Sequence, residues 1–357
     1  MFGTFRYFLA LTVVFGHLWP NKACWAAHYA VFAFYVLSGY LITRILKEVY
    51  PYSRDGLKRF CVNRFLRLYP TYIAVFLLNL LLLHIAPDDA LNMSWDLHMP
   101  TRIRHWLANI FIFGLTSWRT YGVDTVMSPR LVNNAWSLNI ELWFYLILAL
   151  GVMRNVKLVL LWLGLAIAHL IYAFSHNYDF FDRYLPVTAG LLPFALGSTL
   201  YFVVKRWPCS TRISLILGGT GLYAWIFLPF ISSNEGNRPI NAWVEGLYIS
   251  LVISALILYA LANLRPKDSP RWAPVDIWLG NLSYPIFLCH FTAEIGMKWA
   301  FPGLDQHDGT LFAASLVPVN LLAWLLYKTI DHPLEKARAR VRPHAITSSD
   351  SVNGRST

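Results

Sequence analysis

Charge is what this sequence has least of. Asp, Glu, Lys and Arg together make up 14% of its 357 residues. A soluble domain carries nearer a quarter, so an ordinary water-facing surface is excluded. Cysteine is also scarce. Cys24, Cys61, Cys209 and Cys289 lie far apart, with no CxxC pair, and neither a zinc site nor a disulfide framework has support. The basic excess, a formal net charge of +11, gathers into no single patch. Its residues flank apolar runs, so a nucleic-acid-binding role is set aside. No internal repeat is evident, and no soluble domain is expected. No small-x-small cleavage site follows the apolar stretch after Arg6, which therefore reads as a first span and not as a removable leader.

What is abundant is apolar. Hydrophobic residues reach 57% and aromatics 16%. They come in runs long enough to cross a bilayer, which takes about 20 residues per helix. The expected fold is an all-α integral membrane protein, a bundle of about ten transmembrane helices. Spans are expected near 4–20, 26–46, 69–86, 135–153, 156–174, 184–204, 211–231, 243–264, 276–299 and 311–330. The connection 44–67 holds seven Lys and Arg residues between Arg44 and Arg67, which places it in the cytoplasm by the positive-inside rule. A further apolar stretch, 105–117, is short. If it does not span, the later basic clusters at Arg154/Lys157, Lys205/Arg206/Arg212, Arg265/Lys267/Arg271 and Lys328–Arg342 also fall inside. It is therefore read as re-entrant or interfacial, with both termini cytoplasmic. Residues 1–342 form the transmembrane domain, and 343–357 a polar, disordered cytoplasmic tail.

Within so apolar a chain, ionisable residues inside spans are functional candidates by default, because burying them is costly. Arg6 and His17 are eleven residues apart, which leaves only ~20° after three helical turns, so they share a face about 16 Å apart along the axis. Glu141 falls about 9 Å into the fourth span. That depth resembles His17's, so a Glu–His pair is geometrically possible. Ser137 shares the Glu141 face at i−4. His290 lies in the outer half of the ninth span, beyond the helix-breaking Pro285. Arg64 and Arg67, three apart, lie on one face before the third span and suit phosphate. Each has a bland counterpart: topology-setting charge for the arginines, structural hydrogen bonds for His17, Glu141 and His290, back-bonding for Ser137. Gly39, in FYVLSGYLIT, permits close backbone approach, flanked by the polar edges of Ser38 and Tyr40.

These segments together resemble the acyltransferase-3 family of membrane O-acyltransferases, which acylate bacterial surface carbohydrates and some small molecules. Arg6 and His17 fit its Arg-x10-His helix. FYVLSGYLIT fits its aromatic second helix ending in SGY, and Arg64/Arg67 its Arg-x-x-Arg. WSLNIELWFYL fits its Trp-Ser-Leu-x-x-Glu segment through Trp136, Ser137 and Glu141. LGNLSYPIFLCHF is similar to its late helix, through Ser283, Tyr284, Leu288 and His290. The similarity runs from residue 2 to about residue 340. Leu142 and Trp143 replace the Glu-Gln that often follows the acid. The usual Leu-Asp-Gly-Leu-Arg opening is reduced to the stretch before Arg6 and lacks the Asp. The esterase-like extracellular domain often appended in peptidoglycan-acylating members is not seen, which counts against a two-domain relay; direct transfer is the simpler expectation beside a covalent acyl-enzyme through Ser137.

The resemblance implies a multi-pass protein of the bacterial cytoplasmic membrane. It would move an acyl group, acetyl by expectation, from cytoplasmic acyl-CoA to a hydroxyl of exopolysaccharide, lipopolysaccharide O-antigen or a small molecule. His17 and Glu141 are the expected catalytic residues, base and orienting acid. Arg6, Arg64 and Arg67 would bind the donor. Ser38, Gly39, Tyr40, Trp136, Ser137, Tyr284 and His290 are candidates to line the site. No metal and no permanently bound cofactor is expected. Two rivals come from other classes: a transporter or flippase for a polar or lipid-linked sugar, and a membrane scaffold whose polar residues are structural.

Overall fold

A computed structural model describes residues 2–86, 97–116, 129–233, 241–264, 271–304 and 309–343. All regular structure among them is helical. α1 (Phe2–Leu18), α2 (Pro20–Glu48) and α3 (Arg54–Ile85) lead to the short α4 (Ile103–Phe111). Then come α5 (Ala135–Ala149), α6 (Val156–Ser175), the one-turn α7 (Phe180–Tyr184) and α8 (Leu191–Arg206). α9 (Thr211–Ser233), α10 (Asn241–Asn263), α11 (Ala273–Ala300) and α12 (Gly309–Leu326) follow. A π turn at Tyr327–Asp331 joins α12 to α13 (His332–Val341). Residues 344–357, expected as a disordered tail, lie outside the described residues.

Apolar runs of this length become helices because a helix satisfies every backbone group within its own segment. Local signals set several starts. Ser53 Oγ accepts from Gly56 N at 3.0 Å to cap α3, and Asn155 Oδ1 accepts from Lys157 N at 2.9 Å to cap α6. Each of the ten expected spans coincides with a helix. Among the described residues, seven helices are long and apolar enough to cross a membrane, while α1 and α5 are shorter apolar helices. α11 is not among the seven. Asn281, Ser283, His290, Thr292 and Glu294 on it lower its hydropathy, and all but the half-buried Asn281 are carried inward. Burial sorts the seven: the apolar window of α2 is 72% buried and that of α9 11%. α2 is therefore a central post, and α9 presents Ile213, Leu215, Ile216 and Tyr223 outward.

α4 has nine residues. At 1.5 Å per residue it rises about 13 Å, under half of a bilayer core. The packing directions give a second argument. α2 and α8 run parallel, with Tyr35 stacked on Phe194 and Glu48 reaching Tyr201 further along. Consecutive antiparallel crossings from α2 through α3, α5 and α6 to α8 produce that relation, and one more crossing by α4 would reverse it. α1 and α11 are parallel as well. Thr4 N and Oγ1 both donate to Asp276 Oδ1 at 2.8 Å, while His17 meets His290.

The parallel pairs meet through glycine. A Cβ on Gly39 would lie 2.5 Å from Phe194 O, and one on Gly197 would lie 2.0 Å from Val36 O. Only hydrogen fits at either place, which holds α2 against α8 and aims Ser38 away from that seam. At the Arg6 end, the π turn delivers Asp331 to α3. Arg67 Nη1 bonds its Oδ2 at 3.2 Å and Thr71 Oγ1 its Oδ1 at 2.7 Å.

Candidate active site

α1, α2, α3, α5 and α11 enclose a cavity of about 100 Å³. Its polar lining comprises Arg6, Tyr35, Ser38, Arg64, Ser137, Glu141, Tyr145, Ser283 and Tyr284, and the rest is apolar, including Phe34 and Phe287. Glu141 is its one carboxylate. Ser38 Oγ donates to Glu141 Oε1 at 2.5 Å, and the Tyr145 hydroxyl donates to the same oxygen. Tyr145 is one helical turn from Glu141 on α5, the i,i+4 spacing that puts two side chains together. Arg6 and Arg64 share the space with this carboxylate and supply positive charge. A carboxylate out of water needs such donors and countercharges to remain ionised.

The two histidines form a second group. His17 Nδ1 and His290 Nε2 are 2.9 Å apart, with the rings stacked at 5.2 Å. Phe291 stacks on His17 at 5.1 Å. His290 Nδ1 lies 3.3 Å from Ile286 O and 3.4 Å from Asn134 Nδ2. Asn134 also donates to Phe287 O. Phe287 lines the cavity and stands three residues before His290, so the cavity comes within about one helical turn of the pair.

The expected Glu141–His17 pairing is therefore not what the fold makes. His17 is one residue from the end of α1, whereas Glu141 is six residues inside α5. Depths counted from expected span ends made them level. The actual helix ends do not, and His290 takes the place assigned to Glu141. The two phosphate-suited arginines are also divided. Arg64 faces the cavity, with Nη2 donating to Asn63 Oδ1 at 3.0 Å. Arg67 is turned to Asp331, buried with it, and lies against the Tyr284 ring at 5.8 Å.

Of the candidate lining residues, Ser38, Ser137 and Tyr284 line the cavity. The Ser137 hydroxyl donates to Asn134 O at 2.8 Å, and that of Tyr284 to Leu68 O at 2.7 Å, so both serve the scaffold. Gly39 lies in the α2–α8 seam. Tyr40 packs on Phe2 and Tyr201, and Trp136 packs on Tyr184. None of these three lines the cavity. Sequence reasoning missed Tyr145, whose spacing from Glu141 was a usable signal. It also missed Asn134 and Asp331, which come to their partners from distant parts of the chain.

The profile of the acyltransferase-3 family, described as an acyltransferase domain, matches residues 3–328. The chain belongs to the acyltransferase-3 family. It is 25% identical over 329 residues to a Staphylococcus aureus protein named as a candidate O-acetyltransferase, covering 85% of this chain and 52% of that one. Against the peptidoglycan O-acetyltransferase OatA of Listeria monocytogenes, identity is 25% over 328 residues, covering 85% and 50%. A Bacillus subtilis protein named as a candidate peptidoglycan O-acetyltransferase is 28% identical over 367 residues, covering 92% and 54%. The chain spans about half the length of the curated relatives it matches. No solved structure gives a significant match.

Proposed function

We propose that this chain is a membrane O-acyltransferase that moves an acyl group, acetyl by preference, from acyl-CoA to a hydroxyl of a cell-surface glycan. Family membership and the relatives' names support O-acetylation, and two of those names specify peptidoglycan. The observation that carries the reading is the cavity itself. It has guanidiniums at one end and an imidazole pair just beyond the other. Such a layout suits an extended donor with a polyanionic head and a reactive tail.

In this reading the protein lies in the bacterial cytoplasmic membrane as about ten spans, with the Arg6 and Arg64 end inside. Those arginines hold the donor's phosphates by charge and bidentate hydrogen bonds. The pantetheine arm lies along the cavity past Ser38 and Phe287. His17 is the general base on the acceptor hydroxyl. When His290 Nδ1–H is given to Ile286 O, its Nε2 accepts the Nδ1–H of His17. That tautomer puts the basic lone pair on His17 Nε2. The Nε2 atom takes the hydroxyl proton as the sugar oxygen attacks the thioester carbon, and the C–S bond breaks to release the CoA thiolate. The proton on His17 then neutralises the thiolate. His290 orients the base, and Glu141 organises the donor path through Ser38, Tyr145 and the two arginines.

Acyl transfer from radiolabelled acetyl-CoA to soluble glycan fragments, by the protein reconstituted in lipid, tests the reading. Label in the glycan that depends on His17 is the expected result. Movement of glycan across the bilayer without acylation would replace it with transport.

A further inference from the structure

Three buried hydrogen-bond donors in one neighbourhood have no acceptor among the described residues. They are the Tyr50 hydroxyl, Arg64 Nε and Arg338 Nε. They come from separate elements: the α2–α3 connection, α3 and α13. Tyr50 is only 5% exposed and Arg338 9%. Phe60 joins the first two, packing edge-on with Tyr50 at 5.6 Å and against the Arg64 guanidinium at 5.9 Å. Asn63 joins the last two. Its Oδ1 accepts from Arg64, and its Nδ2 donates to Arg338 O at 3.2 Å. The charges of Arg64, Arg342 and Arg338 all act on the Tyr50 hydroxyl. Burial raises that hydroxyl above its ordinary value and the guanidiniums draw it back, so it stays a donor at neutral pH.

Asp331 is the carboxylate that acts on Arg338, but its oxygens are taken by Arg67 and Thr71. The Nε–H groups of two guanidiniums and the hydroxyl of a phenol are therefore buried without acceptors, which is costly unless an anion meets them. A phosphate monoester brings three acceptor oxygens and close to two negative charges. Arg64 lines the cavity, whereas Tyr50 and Arg338 do not; they lie on a connection and on a helix that follows the last apolar run. The group that reaches them is the part of a donor farthest from its thioester.

We propose that Tyr50, Arg64 and Arg338 form a site for a terminal phosphate monoester, the nucleotide 3′-phosphate of the acyl-CoA in the proposed reaction, on which this assignment rests. The helix α13 is then part of the donor site as well as the end of the bundle. An anionic lipid headgroup offers similar chemistry, and the test separates the two.

Coenzyme A and 3′-dephospho-coenzyme A are titrated onto the full chain in phosphatidylcholine nanodiscs. The wild type should prefer coenzyme A by about tenfold or more, the scale of a charge-assisted contact. Arg338→Gln should remove most of that preference and Tyr50→Phe several-fold of it, with dephospho-coenzyme A affinity within about twofold of wild type. Tyr50→Phe changes one oxygen, so the test survives if the arginine variant misfolds. An undiminished preference in both variants overturns the site while leaving the donor reading intact. Failure of the wild type to bind either ligand sinks the donor reading and the site with it. In phosphatidylglycerol nanodiscs, unchanged coenzyme A affinity is expected. Competition by that lipid, lost in Arg338→Gln, would make this a headgroup site and overturn the nucleotide assignment.

Discussion

At one end of the cavity Arg6 and Arg64 share a space with Glu141; just past the other, His17 and His290 share a hydrogen bond. The two ends handle polarity in an apolar bundle by different means. The carboxylate is held by two hydroxyl donors and faces two cations, so its charge is answered on the spot. The imidazoles need no countercharge while neutral, and one ring's donor meets the other's acceptor. A base that starts neutral and gains a proton only during reaction suits the second end. A fixed polyanion suits the first.

The largest effects should come from asking which residues act as one unit. His17→Ala should lower acyl transfer by about 10²–10⁴-fold, the usual worth of a general base. His290→Ala should cost nearly as much, and the double variant little more than either, because paired residues are non-additive. Glu141→Gln combined with His17→Ala should multiply the two losses instead. Transfer rates normalised to folded protein decide this, and non-additivity between His17 and Glu141 would erase the distinction between the ends.

Next in size is the contrast between the two arginines of the Arg-x-x-Arg segment. Arg67→Ala strands Asp331 in the interior and should cost about 3–5 kcal/mol of stability. Replacing both partners, Arg67→Met with Asp331→Leu, should recover much of it. Arg64→Ala should leave the thermal melt almost unchanged and raise the KM for acyl-CoA by about tenfold. Similar melts for Arg64→Ala and Arg67→Ala would mean that the two arginines are not divided in this way.

Much of this was legible in the sequence, for reasons that also mark where reading stops. Ten helices stood out because each is a run of apolar side chains ended by charge or a turn. Gly39 was readable as a close approach, though its partner segment on α8 was not. Arg6 and His17 lie on one helix, so periodicity fixed their relation. Pairings between helices had no such ruler. His17 and His290 are 273 positions apart, and Arg67 and Asp331 are 264. Only three-dimensional packing decides whether Glu141 or His290 reaches His17. Tyr145 was within reach of periodicity, one turn from Glu141. Arg338 was not, since it looks like topology-setting charge until α13 folds onto α3.

Smaller effects test the supports. Gly39→Ala should destabilise by about 1–3 kcal/mol, because the new methyl meets the Phe194 carbonyl, and should reduce the yield of folded protein more than kcat. Ser137→Ala should change transfer by less than about twofold, since its hydroxyl is satisfied by its own helix. A large kcat loss in Ser137→Ala would instead point to an acyl-serine and to a site centred away from the histidines.

The division between a donor-holding end and a reacting end is most directly tested by measuring both properties on one variant. In reconstituted His17→Ala, coenzyme A affinity should remain within about twofold of wild type while single-turnover transfer falls by at least about 10²-fold. Near-wild-type transfer, or a matching collapse of coenzyme A binding in protein that is folded, would contradict the account.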